Sequence, residues 1–285
     1  MRVGKVQLAS GEIRAVLVEG ESVRVLKSAS LSEILHSANP VQAAQDAVDS
    51  SRSAVPIGQV RVLAPIDQQE VWAAGVTYKR SKEERERESA GAARFYDLVY
   101  FADRPEIFFK SPANRVVPTG EAVYIRRDSK WNVPEPELAL VISPTLKLVG
   151  FTAGNDMSSR DIEGENPLYL PQAKFYDRSC AVGPWITLAD AMPKPDETTI
   201  RILIERAGKP AFDGSTKVSA MKRSFDRSRF RAGSSPAFIS MRIAVGAVYQ
   251  TLMRSRSSTE YQASASNSLS TTTLVTPATS GAITP

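Results

Sequence analysis

The sequence has one cysteine, one histidine and no long apolar run. Cys180 alone excludes a disulfide within the chain and any zinc site built from several cysteines. His36 ends a predicted helix beside Ser37, a position typical of a surface cap rather than of a catalytic base. The chain lacks the run of about 18 apolar residues that a membrane-spanning helix needs, and it lacks a signal-peptide core. We therefore expect a cytoplasmic protein with no membrane partner.

The charge of the chain is modest and mixed in sign. The formal net charge is +5 and the pI is near 9.3, but acidic and basic residues alternate over most of the length. A basic patch for a polyanion is therefore poorly supported, and we expect no nucleic-acid partner. With 285 residues, the chain can form one main domain and a smaller companion.

Residues 1–66 carry the pattern of a small N-terminal β/α domain. Short alternating runs separated by Gly-containing turns predict an antiparallel meander of three strands. Two helices follow, the second with alanines at helical spacing. The predicted strands are 3–8, 13–18 and 23–26, and the predicted helices are 31–35 and 41–51.

The most informative stretch is 131–142, where Glu135 and Glu137 begin an apolar run. Side chains alternate along a strand, so the two carboxylates point the same way and can hold one ion. Leu138, Leu140 and Ile142 then share the opposite face and can pack into a core. Pro136 cannot donate to a sheet, which places this strand start at an edge or a bulge. Taken alone, the pair is more often two solvated acids.

Asp156 follows Glu137 by nineteen residues, after the apolar segment 148–153. A strand that brought Asp156 beside the two glutamates would complete a set of three carboxylates. Three carboxylates are suitable ligands for a hard divalent cation that keeps some positions open for water or substrate oxygens.

Three sequence blocks in this region match a known family in order and spacing. They are Pro-Glu-Pro-Glu-Leu-Ala-Leu-Val-Ile at 134–142, Gly-Phe-Thr-Ala-Gly-Asn-Asp-Met-Ser-Ser-Arg-Asp at 150–161, and Lys-Phe-Tyr-Asp at 174–177 before Gly-Pro at 183–184. Over roughly residues 70–222 the chain resembles the fumarylacetoacetate hydrolase family. Segments 104–110 and 161–169 look most like its 2-keto-3-deoxy-D-arabinonate dehydratase branch.

The resemblance implies a mostly β, α+β fold, with a rolled β-sandwich catalytic domain over 67–222 and usually a homodimer. It implies Mg²⁺ as the cofactor, with Mn²⁺ possible, held by Glu135, Glu137 and Asp156. The partner it implies is a small-molecule 2-keto acid substrate.

The resemblance also assigns roles to five further residues. Glu106, on a predicted strand 106–110 with Phe108 and Lys110 on the same face, matches the proposed acid/base. Without the resemblance, an edge position on that strand is the commoner interpretation of Glu106. Lys174 matches a lysine that contacts the bound substrate and would stabilise an enolate oxygen. Candidate substrate contacts are Lys110, Tyr78 and Arg160. A lysine at the end of a strand, as Lys110 is, is usually solvated, and a salt bridge with Asp161 that braces the Asp156 loop is the favoured interpretation of Arg160.

The implied reaction is a metal-dependent dehydration of a 2-keto-3-deoxy sugar acid. The same enolate could serve C–C hydrolysis of an acylpyruvate or fumarylacetoacetate, or isomerisation of a dienedioate. Many hydrolytic relatives place a water-activating histidine in a lid that matches residues 79–90, where this chain has none. That difference disfavours hydrolysis. A catalytically impaired relative is a further alternative.

The resemblance stops near residue 222. A basic run at 222–231 precedes a nearly uncharged segment rich in Ser, Thr and Ala that runs from beyond 256 to the last residue, 285. Such composition buries too little apolar surface to form a core, so we expect residues 223–285 to be a divergent, disordered tail. A shift of reading frame near residue 225 would explain the change; simple divergence is the alternative.

Overall fold

The computed structural model of the chain describes residues 1–78, 93–191, 196–222, 237–242 and 271–275. The expected mostly β fold is confirmed. The strands, numbered in chain order, are β1 (Arg2–Gln7), β2 (Ile13–Glu19), β3 (Ser22–Val25), β4 (Val55–Pro56), β5 (Arg61–Leu63), β6 (Glu70–Ala74), β7 (Ile107–Ser111), β8 (Val116–Val117), β9 (Asn132–Val133), β10 (Pro136–Ile142), β11 (Leu148–Asp156), β12 (Ser158–Ser159), β13 (Cys180–Leu188), β14 (Thr199–Arg206), β15 (Lys209–Lys217), β16 (Ala237–Arg242) and β17 (Thr271–Val275).

The helices are short, and they are α1 (Ser32–Leu35), α2 (Pro40–Asp46), α3 (Ala93–Phe101), α4 (Arg160–Glu165) and α5 (Leu170–Lys174). Within the described ranges no helix has the length and apolarity that crossing a membrane requires. The lid predicted over 79–90 lies outside the described residues. His36 is exposed at the C-terminal end of α1, as a surface cap would be.

The predicted N-terminal meander is confirmed by the antiparallel pairing of β1 with β2 and of β2 with β3. Helices α1 and α2 follow it, but α2 ends at Asp46 and not near residue 51. Val48, beyond α2, forms an isolated antiparallel bridge with Leu26, so a β-branched residue joins the sheet there instead of extending the helix. The predicted second helix was therefore too long.

The N-terminal strands and the main domain share one sheet. Its strand order is β4-β3-β2-β1-β13-β11-β10-β16-β6-β7, with β5 on β1 and β8 on β13. The junction is the β1–β13 pair, where Arg2 lies opposite Thr187 and Val3 opposite Ile186. The predicted units 1–66 and 67–222 are thus joined by backbone hydrogen bonds, and the boundary between them stays a prediction.

Strand β10 lies in the middle of this sheet, between β11 and β16. Leu138, Leu140 and Ile142 share a core cluster with Ile200 of β14, which belongs to a second sheet of order β15-β14-β17. The predicted core face of β10 is confirmed. Although β10 is a central strand, Pro136 is its first residue and, among the described residues, pairs only with Asn155 of β11, because pairing with β16 begins at Glu137. This one-sided position at the strand start agrees with the expected edge and suits a residue without a backbone N–H.

Residues 160–174 are more helical than the sequence indicated. Taken from the sequence alone, segment 162–172, with two prolines, a glycine and an asparagine, predicts an ordered loop rather than a helix. The structure instead has α4, a 3₁₀ turn over 167–169, and α5. Pro167 and Pro171 lie in first-turn positions, where no backbone N–H is needed. Asn166 caps the turn by accepting a hydrogen bond from the N–H of Leu168 at 3.0 Å.

The predicted disordered tail, 223–285, contains two strands. β16 pairs antiparallel with β10 and parallel with β6, and β17 pairs antiparallel with β14. The prediction of a tail without structure is wrong for these two segments. Both have residue types that suit strands, since β16 reads Ala-Phe-Ile-Ser-Met-Arg and β17 reads Thr-Thr-Thr-Leu-Val.

Candidate active site

Three carboxylates from two separate parts of the chain meet at one end of the β10–β11 pair. Glu135 directly precedes β10, Glu137 is its second residue, and Asp156 is the last residue of β11. The backbone N–H of Asp156 donates to the carbonyl oxygen of Glu135 at 2.9 Å, which fixes one segment against the other. One oxygen of each carboxylate lies within 4.8 Å of the other two. We call these three residues the carboxylate cluster.

The carboxylate cluster is buried. The exposed fractions are 4% for Glu135, 0% for Glu137 and 1% for Asp156. Burial removes the water that stabilises a charged carboxylate, and like charges at this separation disfavour ionisation further. Such a cluster persists in a fold only if cations balance it.

Lys174 supplies one of those cations from the last residue of α5. Its side chain is fully buried, and its ammonium donates to Glu135 Oε2 at 2.8 Å and to Asp156 Oδ2 at 2.8 Å. The third contact is with Ser158 Oγ, which in turn donates to Glu135 Oε2 at 3.0 Å. The predicted neighbourhood of Lys174 and the metal-binding residues is therefore present in the structure.

Lys110 supplies the second cation from β7 and is also fully buried. Its ammonium pairs with Asp156 Oδ1 at 2.6 Å. It also donates to two backbone carbonyl oxygens, that of Met157 at 2.9 Å and that of Lys174 at 2.6 Å. The Lys110 ammonium is thus held by two hydrogen bonds to backbone and by one ion pair. The predicted contact between Lys110 and substrate stays a prediction.

The donor set is compatible with a hard divalent cation. Three carboxylates against two ammonium groups leave a formal charge of −1 inside the protein. Buried net negative charge favours cation binding, and carboxylate oxygens are the ligands that Mg²⁺ and Mn²⁺ prefer. The chain therefore has a fitting place for the metal that the sequence predicted.

Glu106 directly precedes β7, which begins one residue later than predicted. Its carbonyl accepts the N–H of Gly75 at 3.0 Å, and a Cβ on Gly75 would lie 2.1 Å from Glu106 Oε2. Gly75 thus leaves room for this half-buried carboxylate at the end of β6. On β7, the Phe108 ring lies 5.6 Å from the Lys174 ammonium and Lys110 reaches Asp156. Because side chains alternate along a strand, we expect Glu106 to lie on the same side of the chain as Phe108.

Tyr78 has a buried hydroxyl that could still form a hydrogen bond. It is 3% exposed, and its hydroxyl has no hydrogen-bond partner among the residues that the structure describes. Burial raises the pKa of this hydroxyl well above its usual value, and the negative charge of Glu137 raises it further. The turn that delivers Tyr78 contains Val76 at φ 50°, a conformation that a β-branched residue rarely adopts.

Arg160 lies at the start of α4 and is buried. Its guanidinium pairs with Glu163 at 2.8 Å and lies 5.7 Å from the Trp131 ring. Asp161, the predicted bracing partner, instead accepts hydrogen bonds from Ser129 Oγ and the N–H of Lys130 at 2.6 Å each. Arg160 thus braces this region through a different acid. Its contact with substrate stays a prediction.

Sequence reasoning missed two residues of this region. Ser158 bridges Lys174 and Glu135, and Phe108 lies against the Lys174 ammonium. A signal for Ser158 was present, because it lies two residues after Asp156 in a segment of extended backbone. Nothing in the sequence marked Phe108 except its place between Glu106 and Lys110.

Comparisons with known proteins identify the family of this chain and several relatives. The family described as fumarylacetoacetate (FAA) hydrolase C-terminal matches residues 70–227. A probable 2-keto-3-deoxyxylonate dehydratase of Haloferax volcanii is 51% identical over 162 residues, which is 57% of this chain and 55% of that protein. A 2-dehydro-3-deoxy-D-arabinonate dehydratase of Saccharolobus solfataricus is 43% identical over 173 residues, or 60% and 58%. The chain thus spans a little over half the length of these relatives.

A solved structure is similar over more of the chain. The 2-keto-3-deoxy-D-arabinonate dehydratase complexed with magnesium and 2,5-dioxopentanoate gives a TM-score of 0.70 at 31% identity, and the match covers 86% of this chain and 88% of that one. The sandwich fold predicted from the resemblance is confirmed by this match.

Proposed function

Because the chain belongs to the fumarylacetoacetate hydrolase family, we propose that it is a Mg²⁺-dependent dehydratase of a 2-keto-3-deoxy sugar acid. The observation that carries the proposal is the buried carboxylate cluster with a buried lysine bonded to two of its members. This arrangement suits a substrate that brings an anionic keto acid to a divalent cation. The dehydratase names of the relatives support this choice of reaction.

Glu135, Glu137 and Asp156 would hold the ion. The carboxylate and keto oxygens of a 2-keto acid would coordinate this Mg²⁺, or Mn²⁺ with the same protein ligands. As a Lewis acid, the ion would polarise the carbonyl and so make the protons at C3 acidic.

Glu106 would act as the acid/base. Its carboxylate would remove a proton from C3, and the electron pair would move onto the keto oxygen as an enolate. The ammonium of Lys174 would stabilise that negative charge. When the enolate reforms the carbonyl, the C4 hydroxyl leaves and takes a proton from the protonated Glu106, so that one water is lost in total. From a 2-keto-3-deoxypentonate, tautomerisation of the resulting enone gives 2,5-dioxopentanoate.

The hydrolytic and isomerase alternatives use the same enolate but differ in what happens next. Hydrolysis needs a base that activates water, and the only histidine, His36, is exposed at the end of α1 in the N-terminal part. A glutamate–histidine pair is therefore not available to this chain, which favours loss of water over attack by water.

The remaining predictions belong to this proposal. A cytoplasmic location and a homodimer are expected from the family, and light scattering of the purified protein tests the second. Tyr78 would donate its hydroxyl to the bound substrate, since this buried hydroxyl has no hydrogen-bond partner among the described residues.

The test is turnover by the purified full chain. Incubation with Mg²⁺ and 2-keto-3-deoxy-D-arabinonate should form 2,5-dioxopentanoate, followed by proton NMR, and chelation of the metal should stop the reaction. Glu106→Gln should keep metal affinity and lose about 10²–10⁴-fold in kcat, the usual contribution of a positioned acid/base. Product formation after complete metal removal would exclude the metal-dependent mechanism. Metal binding without any turnover would favour the impaired relative.

A further inference from the structure

Lys110 has contacts that differ from those of a substrate-binding lysine. Two of its three acceptors are backbone carbonyls, at Met157 and Lys174, and the third is the carboxylate of Asp156. Backbone carbonyls of packed elements cannot turn away to release the ammonium. The Lys110 side chain is 0% exposed, so these two backbone hydrogen bonds and the ion pair with Asp156 hold its ammonium in place.

The three acceptors belong to the two elements that carry the reacting groups. Asp156 is the last residue of β11 and Met157 directly follows it, and Lys174 is the last residue of α5. Ser179 reinforces the same junction, because its Oγ donates to the Lys174 carbonyl at 2.9 Å while its own carbonyl accepts the N–H of Met157 at 3.0 Å. Lys110 thus ties the last residue of β11 to the residue that points its ammonium into the carboxylate cluster.

Lys110 also connects this junction to the strand that follows Glu106. Glu106 precedes β7 by one residue, and Lys110 lies four residues further along on the same face. A rotation or slide of β7 that moved Glu106 would therefore strain three short contacts at Lys110. Groups that fix ligands in this way are worth about 10–100-fold in metal affinity or activity when they are removed.

We infer that Lys110 is a positioning residue, which holds Asp156, Lys174 and the β7 strand in one geometry and does not bind substrate. The inference rests on the proposed function, because it concerns the same metal site. It replaces the substrate contact predicted for Lys110 from the sequence.

The test measures metal binding in the absence of substrate. Mn²⁺ binding to the full chain is followed by calorimetry and by electron paramagnetic resonance, with kcat and KM measured in parallel. Lys110→Met should weaken Mn²⁺ binding about 10–100-fold and lower kcat, with KM changed less. The direction is informative, because loss of a positive charge beside Asp156 would by itself strengthen cation binding. Binding as tight as in the wild type, or tighter, would overturn the inference.

Two further variants make the result specific. Lys5→Met removes another lysine that pairs with a carboxylate, Asp67, at 2.7 Å in the N-terminal part, and it should lower stability without changing Mn²⁺ affinity. Ser179→Ala removes the parallel hydrogen bond to the Lys174 carbonyl and should weaken Mn²⁺ binding in the same direction by less. If Lys110→Met does not fold, Ser179→Ala decides, and unchanged affinity there overturns the inference.

The wild type and Asp156→Asn separate this inference from the proposed function. A wild type that binds Mn²⁺ and an Asp156→Asn variant that does not would establish the metal site, so that a null result with Lys110→Met would count against Lys110 alone. A wild type that binds no Mn²⁺ would overturn the metal site and this inference together.

Discussion

Two clusters in this protein place lysine against buried or half-buried carboxylate, and they differ in their charge balance. In the N-terminal part, Asp67 Oδ1 receives the Lys5 ammonium at 2.7 Å. Its Oδ2 accepts three hydrogen bonds at 2.9 Å, from Ser30 Oγ and from the N–H and Oγ of Ser32. Asp67 thus pairs with one lysine, and both of its carboxylate oxygens accept hydrogen bonds. The carboxylate cluster instead has three acids against Lys110 and Lys174.

The difference separates a stabilising ion pair from a binding site. Burial alone would raise the pKa of Asp67, but hydrogen bonds from Lys5 and Ser32 outweigh it and hold the pKa below its usual value. The folded protein therefore favours the charged form of Asp67. The surplus negative charge of the carboxylate cluster destabilises the folded protein. Proteins keep such destabilising arrangements at sites where binding of a ligand depends on them. Four consequences of this contrast can be measured, the first being the Lys110 comparison above.

Glu137→Gln should separate function from stability most clearly. The variant removes one of three mutually repelling carboxylates, so Mn²⁺ binding and turnover should fall by more than the about 10–100-fold that loss of an outer partner costs. The free energy of unfolding should stay equal or rise, because repulsion between buried like charges is relieved. Calorimetric titration and chemical denaturation of the metal-free protein give the two quantities. A large loss of stability would mean that the cluster is a structural ion-pair network.

Asp67→Asn should have the opposite profile. Removing one member of a satisfied network should destabilise the protein by about 1–3 kcal/mol, with kcat and metal affinity unchanged. Because the folded pKa is depressed, the difference in free energy of unfolding between wild type and variant should be constant above about pH 5 and shrink as the pH falls below about 4. Denaturation curves at several pH values test this. A difference that grew on acidification would contradict the assignment.

Asp213→Asn should change least. Asp213 pairs with Arg201 across β14 and β15, and both side chains are about half exposed, at 49% and 47%. Hydrogen bonds from Arg201 lower the pKa of Asp213, but solvent and salt screen an exposed pair of this kind. We expect no measurable shift in the unfolding midpoint and no change in turnover. A shift in the unfolding midpoint as large as that of Asp67→Asn would show that the exposed fraction of an ion pair does not determine how much the pair stabilises this protein.

The sequence predicted the parts of this site that depend on strand geometry. Alternation put Glu135 and Glu137 on one side of β10 and the leucines on the other, and both features are present. Asp156 needed a second strand beside the first, which the apolar segment before it indicated. For these residues, local periodicity and spacing were enough.

Other features depend on contacts that periodicity does not encode. The backbone hydrogen bonds of Lys110 and the bridging role of Ser158 follow from how β7, β11 and α5 pack. The helices α4 and α5 were missed because prolines usually interrupt helices, whereas here they occupy first-turn positions. Strand β17 was missed because a composition poor in charge and rich in Ser and Thr hides a short segment that a neighbouring strand can pair, and β16 was missed because it follows a basic run at which the family resemblance ends.

The position of β16 has a consequence for when the sheet becomes complete during synthesis. β16 is the strand between β10, which carries Glu137, and β6, whose other neighbour is β7 after Glu106. All residues proposed to react with substrate precede position 175, yet the sheet that unites them closes only when residues 237–242 have left the ribosome. The strand that joins β10 to β6 is therefore synthesised after every residue of the carboxylate cluster.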